Sequence, residues 1–180
     1  MIYIYKIDTE VFLFLNGLHN PIMDVIIFFV CHNLFFIPFF VILIDEVNKE
    51  FRNKSLYVLL TIVILIASCD QTICHLINPF FKRLRPSHEP AIQHLVHLTN
   101  AGPGSLYGFI SRHVANAFSL LTFLSFVLNK NNKWLKILFY IWAMLISFGM
   151  IYLGIHYPLD IIFSSVIGIL FGYIFRFLFY

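Results

Sequence analysis

The chain has 180 residues, of which 60% are hydrophobic and 12% are charged, and its mean hydropathy is +0.85. A soluble globular domain is excluded, because such domains carry about 25% charged residues. The formal net charge of +3 is small, and we expect membrane lipids rather than nucleic acid as partners.

The first predicted element is a helix within residues 1–20. Its charged residues, Lys6, Asp8 and Glu10, argue against a helix that spans the bilayer. The apolar stripe of this helix is Val11, Phe12, Phe14, Leu15 and Leu18. We therefore predict an amphipathic helix lying at the membrane interface.

Five later stretches are long and apolar enough to cross a hydrocarbon core of about 30 Å. They are roughly 23–44, 56–77, 111–128, 134–153 and 158–178. Polar connections separate them at 45–55 and 129–133, and the longest piece outside the spans is 78–109. The prediction is an all-α protein: a polytopic membrane helical bundle of about five transmembrane helices plus the N-terminal interfacial helix. Residues 1–180 form a single integral-membrane domain.

Five spans also predict which segments meet. If the second span ends near residue 78, the third begins at 111 on the same side of the membrane. The fourth returns to that side near 153, and the fifth leaves it at 158. Arg85, His113 and His156 are therefore expected on one membrane face, here called the reactive face.

The distribution of lysine and arginine predicts the orientation. The reactive face carries five such residues: Lys6, Lys82, Arg83, Arg85 and Arg112. The opposite face carries seven: Lys49, Arg52, Lys54, Lys130, Lys133, Lys136 and Arg176. Cytoplasmic loops are enriched in lysine and arginine. We expect a multi-pass protein of a bacterial-type inner (plasma) membrane, with its reactive face toward the periplasm or exterior.

The stretch GMIYLGIHYPLD at 149–160 contains the clearest chemical signal. His156 precedes Asp160 by four residues, a spacing that on a helix puts both side chains on one face. A carboxylate beside an imidazole fixes its tautomer, so that the other ring nitrogen can attack or accept a proton. The alternative is that the pair only caps the helix.

Other polar residues are interpreted structurally. His94 and His97, with His88 and Glu89 upstream, are loosely spaced for a metal site, and we expect no metal ligands. The cysteines Cys31, Cys69 and Cys74 lie in apolar runs and are expected to be buried thiols. Asp70 and His75 are expected to support the 78–109 loop by hydrogen bonds.

Three short motifs together resemble those of the type-2 phosphatidic acid phosphatase superfamily. They are RLRP at 83–86, SRH at 111–113 and HYPLD at 156–160. The family pattern is KxxxxxxRP, PSGH and SRxxxxxHxxxD, and the likeness covers roughly residue 70 to the C-terminus. The resemblance implies a helical bundle that removes phosphate from lipids through a phosphohistidine, without a metal or other cofactor.

The resemblance also implies roles for individual residues. His156 would be the nucleophile, Asp160 its orienting carboxylate, and His113 the acid that protonates the leaving group. Arg85 and Ser111 would hold the phosphate oxygens. Arginine suits that task because its fork of donors matches phosphate. Ser111, just before an apolar helical run, is also predicted to be a helix N-cap.

The chain departs from the family pattern at five positions. Asn78 stands where the family has lysine, Met150 where it has arginine, and Gly149 where it has serine. In the middle motif Ile110 replaces proline and Arg112 replaces glycine. We expect Arg112 to bind phosphate in place of the missing cations. Lys82 and Arg83 are interpreted as a solvated or headgroup-facing basic patch.

These observations favour a membrane-embedded lipid phosphatase. Its substrate would be a phosphate monoester or pyrophosphate of an anionic lipid, of the isoprenyl pyrophosphate, phosphatidylglycerol phosphate or lipid A type. One alternative is a phosphotransferase that passes the phosphoryl group from the same histidine to another acceptor. The other is a catalytically silent lipid-phosphate binder, which the loss of two cations keeps open.

Overall fold

The structure, a computed structural model, describes residues 2–100, 102–128 and 133–179. The described residues form eight α-helices and one isolated antiparallel β-bridge, between Leu84 and Tyr107. The helices are α1 Ile2–Asn16, α2 Pro21–Cys31, α3 Ile37–Phe51, α4 Ser55–Thr72, α5 Asn78–Phe81, α6 Arg112–Val127, α7 Lys133–Tyr152 and α8 Pro158–Phe179. A π-helical turn, Ile73–Ile77, joins α4 to α5. The predicted all-α bundle is confirmed.

Among the described residues, three helical stretches are able to cross a membrane by length and composition: Ile37–Phe81, Lys133–Tyr152 and Pro158–Phe179, with a fourth if the bent pair of α1 and α2 counts as one span. The first has 45 residues and would be about 68 Å long if straight, more than twice the core thickness. The stretch turns at Arg52, whose φ is 46°. Phe51 and Tyr57, on either side of this turn, both contact the ring of Phe179. It is therefore a hairpin of α3 and α4. Together with α6, α7 and α8, this hairpin gives five long helices, in rough agreement with the predicted number of transmembrane helices.

The first predicted span, 23–44, is wrong as a continuous helix. Helix α2 ends at Cys31, a 3-10 turn covers Asn33–Phe36, and α3 begins at Ile37. Pro38, in the first turn of α3, accounts for the break, because proline has no N–H to donate to a preceding turn and is tolerated only in the first turn of a helix. The polar connection is also shorter than predicted, since α3 continues to Phe51 before it turns.

Helix α1 lies across the reactive end of the bundle. It is bent by 111° from α2, and its buried face consists of Asp8, Phe12 and Asn16. Asp8 accepts the N–H of Leu159 at the start of α8, and Asn16 donates to the carbonyl of Tyr152 at the end of α7. Of the predicted apolar stripe only Phe12 is fully buried, while Val11, Phe14 and Leu18 are exposed. The buried face of the helix thus carries two polar side chains beside Phe12, while most of the predicted apolar stripe is exposed.

Helices α6 and α8 pack most closely, and small residues make this possible. A Cβ on Gly168 would lie 2.3 Å from the carbonyl oxygen of Ala115, and one on Gly172 would lie 2.5 Å from that of Ser119. At the reactive end the backbone N–H of Ser111 donates to Ser164 Oγ at 2.7 Å. The contact fixes the start of α6, which carries His113, against the first turns of α8, which carry Asp160.

Candidate active site

A cavity of about 920 Å³ lies at the reactive end of the bundle. Four of the six predicted site residues line it: Arg85, Arg112, His113 and His156. The other two, Asp160 and Ser111, are fully buried. The three segments that were expected to meet on one membrane face therefore do meet.

His156 lies in the turn between α7 and α8, and its placement depends on both helix ends. Its backbone N–H donates to the carbonyl of Met150, in the last turn of α7. Asp160, in the first turn of α8, accepts the backbone N–H of Tyr157 through Oδ2 at 2.9 Å, as in a helix capping box. The same Oδ2 lies 3.6 Å from His156 Nδ1. Asp160 therefore both caps α8 and faces the imidazole, so the two readings of this pair are compatible.

The neighbours of His156 determine its tautomer. Arg85 Nη1 lies 3.2 Å from His156 Nε2, and a guanidinium is only a donor. Nε2 must therefore be the accepting nitrogen, and the proton of the neutral ring is on Nδ1, toward Asp160. Burial lowers the pKa of His156 below its ordinary 6.5, although the carboxylate of Asp160 at 3.6 Å acts to raise it. The lone pair of Nε2 thus points into the cavity.

Arg85 is held by a short pairing of two loop segments. Its backbone N–H donates to Leu106, and Gly108 donates to Arg83 across the Leu84–Tyr107 bridge. A Cβ on Gly108 would lie 2.6 Å from Arg85 Nε, so the guanidinium needs glycine there. Burial lowers the pKa of Arg85, yet a guanidinium stays protonated at neutral pH.

Helix α6 contributes the remaining predicted groups. Ser111 is the N-cap, as predicted, and its Oγ accepts the N–H of Val114. Arg112 lines the cavity with a half-exposed side chain, 3.6 Å from Asp70 Oδ2. Asp70 also accepts a hydrogen bond from Asn116. It therefore supports α6, and the expectation that it supports the 78–109 loop is wrong.

The model of the PAP2 superfamily matches residues 54–180 of this sequence. The chain belongs to the PAP2 superfamily. A protein of Bacteroides thetaiotaomicron named lipid A 4′-phosphatase is 34% identical over 98% of this chain and 78% of its own length. A protein of the same name from Porphyromonas gingivalis is 30% identical over 96% of this chain and 73% of its own length.

Two crystal structures share the fold. LpxE of Aquifex aeolicus has a TM-score of 0.66 and 23% identity, and the match covers 93% of each chain. The PAP2-type phosphatidylglycerolphosphate phosphatase of Bacillus subtilis has a TM-score of 0.73 and 18% identity, covering 99% of this chain and 87% of the other. The protein is a membrane lipid phosphatase of the PAP2 type.

The structure explains how the chain accommodates its departures from the PAP2 pattern. Asn78, in place of lysine, donates to the carbonyl of Ile110 and accepts its N–H, at 3.0 and 2.7 Å. It holds the backbone just before Ser111. A Cβ on Gly149 would lie 2.3 Å from Cys31 Sγ, so a serine does not fit there. Met150 lines the cavity, and its carbonyl accepts the N–H groups of Ile155 and His156.

Arg83 is the residue that sequence reasoning placed wrongly. It is not headgroup-facing, since its side chain is 15% exposed and bridges Asp160 and Asp8. Lys82 is exposed at the end of α5 but also lines the cavity. The cavity of this PAP2 protein thus includes three cations, Lys82, Arg85 and Arg112.

The loop histidines serve the packing of α1 and α2. His97 Nε2 lies 3.0 Å from Asp24 Oδ2, and its ring stacks on His19 at 3.8 Å. His94 lies in a short 3-10 turn, so the two histidines do not share a helical face. Across residues 2–100, 102–128 and 133–179, no three His, Cys, Asp or Glu side chains are arranged to hold a metal ion. The three cysteines are free; Cys31 and Cys69 are buried and Cys74 is half-buried.

Proposed function

We propose that this protein removes the 4′-phosphate of lipid A, without a metal, through a phosphohistidine at His156. The observation that carries the proposal is the contact of Arg85 with His156 Nε2 inside the cavity. A guanidinium beside the nucleophilic nitrogen is placed to hold the oxygens of a phosphoryl group against that nitrogen. When a phosphate enters, its oxygens take over the donors of Arg85 and phosphorus faces Nε2.

The reaction then proceeds in two steps. In the first, Nε2 of His156 forms a bond to phosphorus while the bond to the sugar oxygen breaks, and that oxygen takes a proton from His113. Asp160 supports the positive charge that develops on the imidazole. In the second, His113 takes a proton from water, the water oxygen bonds to phosphorus, and the P–N bond breaks. Arg85, Arg112 and Ser111 stabilise the charge on the phosphoryl oxygens.

Two observations support a lipid A substrate. Both curated relatives carry the name lipid A 4′-phosphatase, and the alignments cover nearly all of this chain. The cavity of about 920 Å³ is at the upper end of the range for small-molecule sites, about 300–1,000 Å³. Its lining combines the cations with apolar residues such as Phe28 and Leu106. That combination suits a phosphorylated sugar joined to acyl chains.

We also propose that the reactive face is periplasmic in a bacterial inner membrane. Two of the five cations on that face, Arg83 and Arg85, are held by protein groups rather than by solvent or lipid headgroups. On the opposite face Lys49, Lys136 and Arg176 are held by protein groups as well, so it is the count of seven cations against five that favours a cytoplasmic position for the opposite face. Lys130, one of the seven cations counted there, lies outside the described residues.

The test is phosphate release by the purified protein in detergent with EDTA present. Lipid A bisphosphate, phosphatidylglycerol phosphate and undecaprenyl pyrophosphate are compared, and mass spectrometry identifies which phosphate of lipid A is lost. We expect loss of the 4′-phosphate with the highest kcat/KM. A fully active His156→Ala variant would contradict the mechanism. Transfer of the phosphate to an added lipid acceptor in preference to water would instead identify a phosphotransferase.

A further inference from the structure

Arg83 lies between two buried carboxylates, those of Asp8 and Asp160. Of these three residues, only Asp160 has a direct role in the proposed reaction. Arg83 Nη1 donates to Asp160 Oδ1 at 2.5 Å and its Nη2 to Asp8 Oδ2 at 2.6 Å. The side chains of Asp8 and Asp160 are 1% and 0% exposed. The Arg83 guanidinium also stacks on the ring of Tyr157 at 4.2 Å. Burial acts to lower the pKa of Arg83, but Asp160 and Asp8 outweigh it and the pKa is raised.

The two oxygens of Asp160 face different partners. Oδ1 accepts from Arg83, whereas Oδ2 accepts from Tyr157 and faces His156 Nδ1. A carboxylate whose charge is fully neutralised by an arginine gives little support to a neighbouring imidazolium. Asp8 prevents full neutralisation, because it shares the same guanidinium from the other side. The cluster of Asp8, Arg83 and Asp160 therefore keeps one net negative charge behind His156.

Resting on the proposed nucleophilic role of His156, we propose that Asp8 and Arg83 are positioning residues that set the orientation and charge of Asp160. Arg83 holds Asp160 in the rotamer that faces His156. Asp8 balances the charge of Arg83 and, through its other oxygen, accepts the N–H of Leu159 at 2.9 Å. Helix α1 thus completes the site from the far side of Asp160 without touching the substrate.

An alternative is that Asp8 only fastens α1 to the bundle. The chain offers a matched control, because Asn16 fastens the other end of the same helix. Asn16 donates to the carbonyls of His97 and Tyr152 and accepts the N–H of His97, but it makes none of the contacts of Arg83. Asp8→Asn is nearly isosteric and keeps an oxygen for the N–H of Leu159, but its amide NH2 then faces Arg83. The variant therefore removes the charge and the Arg83 contact while it keeps the contact that fastens α1 to α8.

The first experiment compares kcat and KM for lipid A phosphate release by the wild type, Asp8→Asn, Asp8→Glu and Asn16→Ser. We expect Asp8→Asn to lower kcat about tenfold with KM unchanged within about twofold, since the lost charge acts on the transition state. Asp8→Glu should recover part of the loss, and Asn16→Ser should stay near wild type. An equal fall in Asn16→Ser and Asp8→Asn would overturn the proposal, since docking would then explain both.

The second experiment follows the titration of His156 by NMR in detergent-solubilised, histidine-labelled protein and needs no turnover. The charged and titratable groups around the His156–Asp160 pair are Arg83, Arg85, His113, Tyr157 and Asp8. Asp8→Asn removes a negative charge and should lower the pKa of His156. Arg83→Gln removes a positive charge and should raise it. Because Arg83→Gln leaves two buried carboxylates without their shared cation, the charge-balanced Asp8→Asn/Arg83→Gln variant is measured beside it and should titrate near wild type.

Shifts of opposite sign are the signature of a charge effect, which loosened packing does not produce. Shifts of the same sign, or no shift in Asp8→Asn, would refute the positioning role. A wild type that releases no phosphate would refute the proposed function instead, while the titration would still decide the coupling of Asp8 to His156.

Discussion

Arg112 provides the sharpest test of how this protein compensates for its missing cations. The PAP2 pattern has glycine at 112, lysine at 78 and arginine at 150, and here these are arginine, asparagine and methionine. Asn78 is engaged with the backbone of Ile110, and Met150 carries no charge. Arg112 lines the cavity beside His113. We predict that Arg112→Met, which keeps the length and helix propensity of the side chain, weakens transition-state binding.

The size of this loss in binding free energy follows from the two partners of the Arg112 guanidinium, which are the phosphate of the substrate and Asp70. A hydrogen bond to a charged group contributes about 1.5–3 kcal/mol. The ion pair with Asp70 has to be given up when phosphate binds, but at 3.6 Å and with the arginine half-exposed it contributes at most about 1 kcal/mol. The net loss in Arg112→Met is therefore roughly 0.5–3 kcal/mol, or about twofold to 150-fold in kcat/KM.

The assay is initial-rate phosphate release at several substrate concentrations. Lys49→Met is the matched control, because this lysine is exposed near the far end of α3 and pairs only with Asp45 and Glu46 among the contacts described. It should leave kcat/KM unchanged. Met150→Arg in the Arg112→Met background should recover part of the loss, since Met150 lines the same cavity. Unchanged kcat/KM in Arg112→Met would show that this arginine is only an interfacial charge.

Four further results are expected. His156→Ala should abolish phosphate release and Asp160→Asn should reduce kcat at least a hundredfold, measured with EDTA present; substantial turnover by either would count against the mechanism. Because burial lowers the pKa of His156 and the neutral ring is the nucleophile, the decline of kcat/KM on the acid side should begin below pH 6.5; an acid-side decline that begins above pH 6.5 would contradict the burial effect. Gly168→Ala should lower the melting temperature, because the new Cβ would lie 2.3 Å from a carbonyl of α6 and such overpacking costs about 1–3 kcal/mol. An unchanged melting temperature would show that α6 and α8 can move apart without a loss of stability. In intact cells an impermeant thiol reagent should label Ser105→Cys and spare Lys133→Cys, and the reverse pattern would invert the proposed orientation.

The helices that carry the site were predictable because apolar runs and polar breaks alternate clearly along the chain. The predicted spans 111–128, 134–153 and 158–178 differ from α6, α7 and α8 by about one residue at each end. The convergence of Arg85, His113 and His156 followed from the order of the spans alone, because successive spans cross the membrane in opposite directions. The broken span at 23–44 had a signal in Pro38, which hydropathy does not register.

The placement of Arg83 was not predictable from its own surroundings. Lys82 and Arg83 are adjacent and both basic, yet one is exposed and the other is buried between two carboxylates. The partner Asp8 is 75 residues away, and only the orientation of α1 brings it near. A signal was present in α1 itself, because Asp8, Phe12 and Asn16 share one face. Polar residues of a membrane helix face the protein interior, and that rule favours the observed burial over a surface stripe.

The cluster of Asp8, Arg83 and Asp160 also determines when the site is completed during synthesis. Arg83 is made 75 residues after Asp8, and Leu159, whose N–H Asp8 accepts, is made 151 residues after Asp8. At a rate of synthesis of about 5–20 residues per second, the start of α8 is made roughly 8–30 s after Asp8. The Asp8–Arg83 pair can form before α7 and α8 have been synthesised, so the nascent protein holds a neutral pair before His156 and Asp160 are made. The cluster is complete only once α8, which carries Asp160, has joined the bundle.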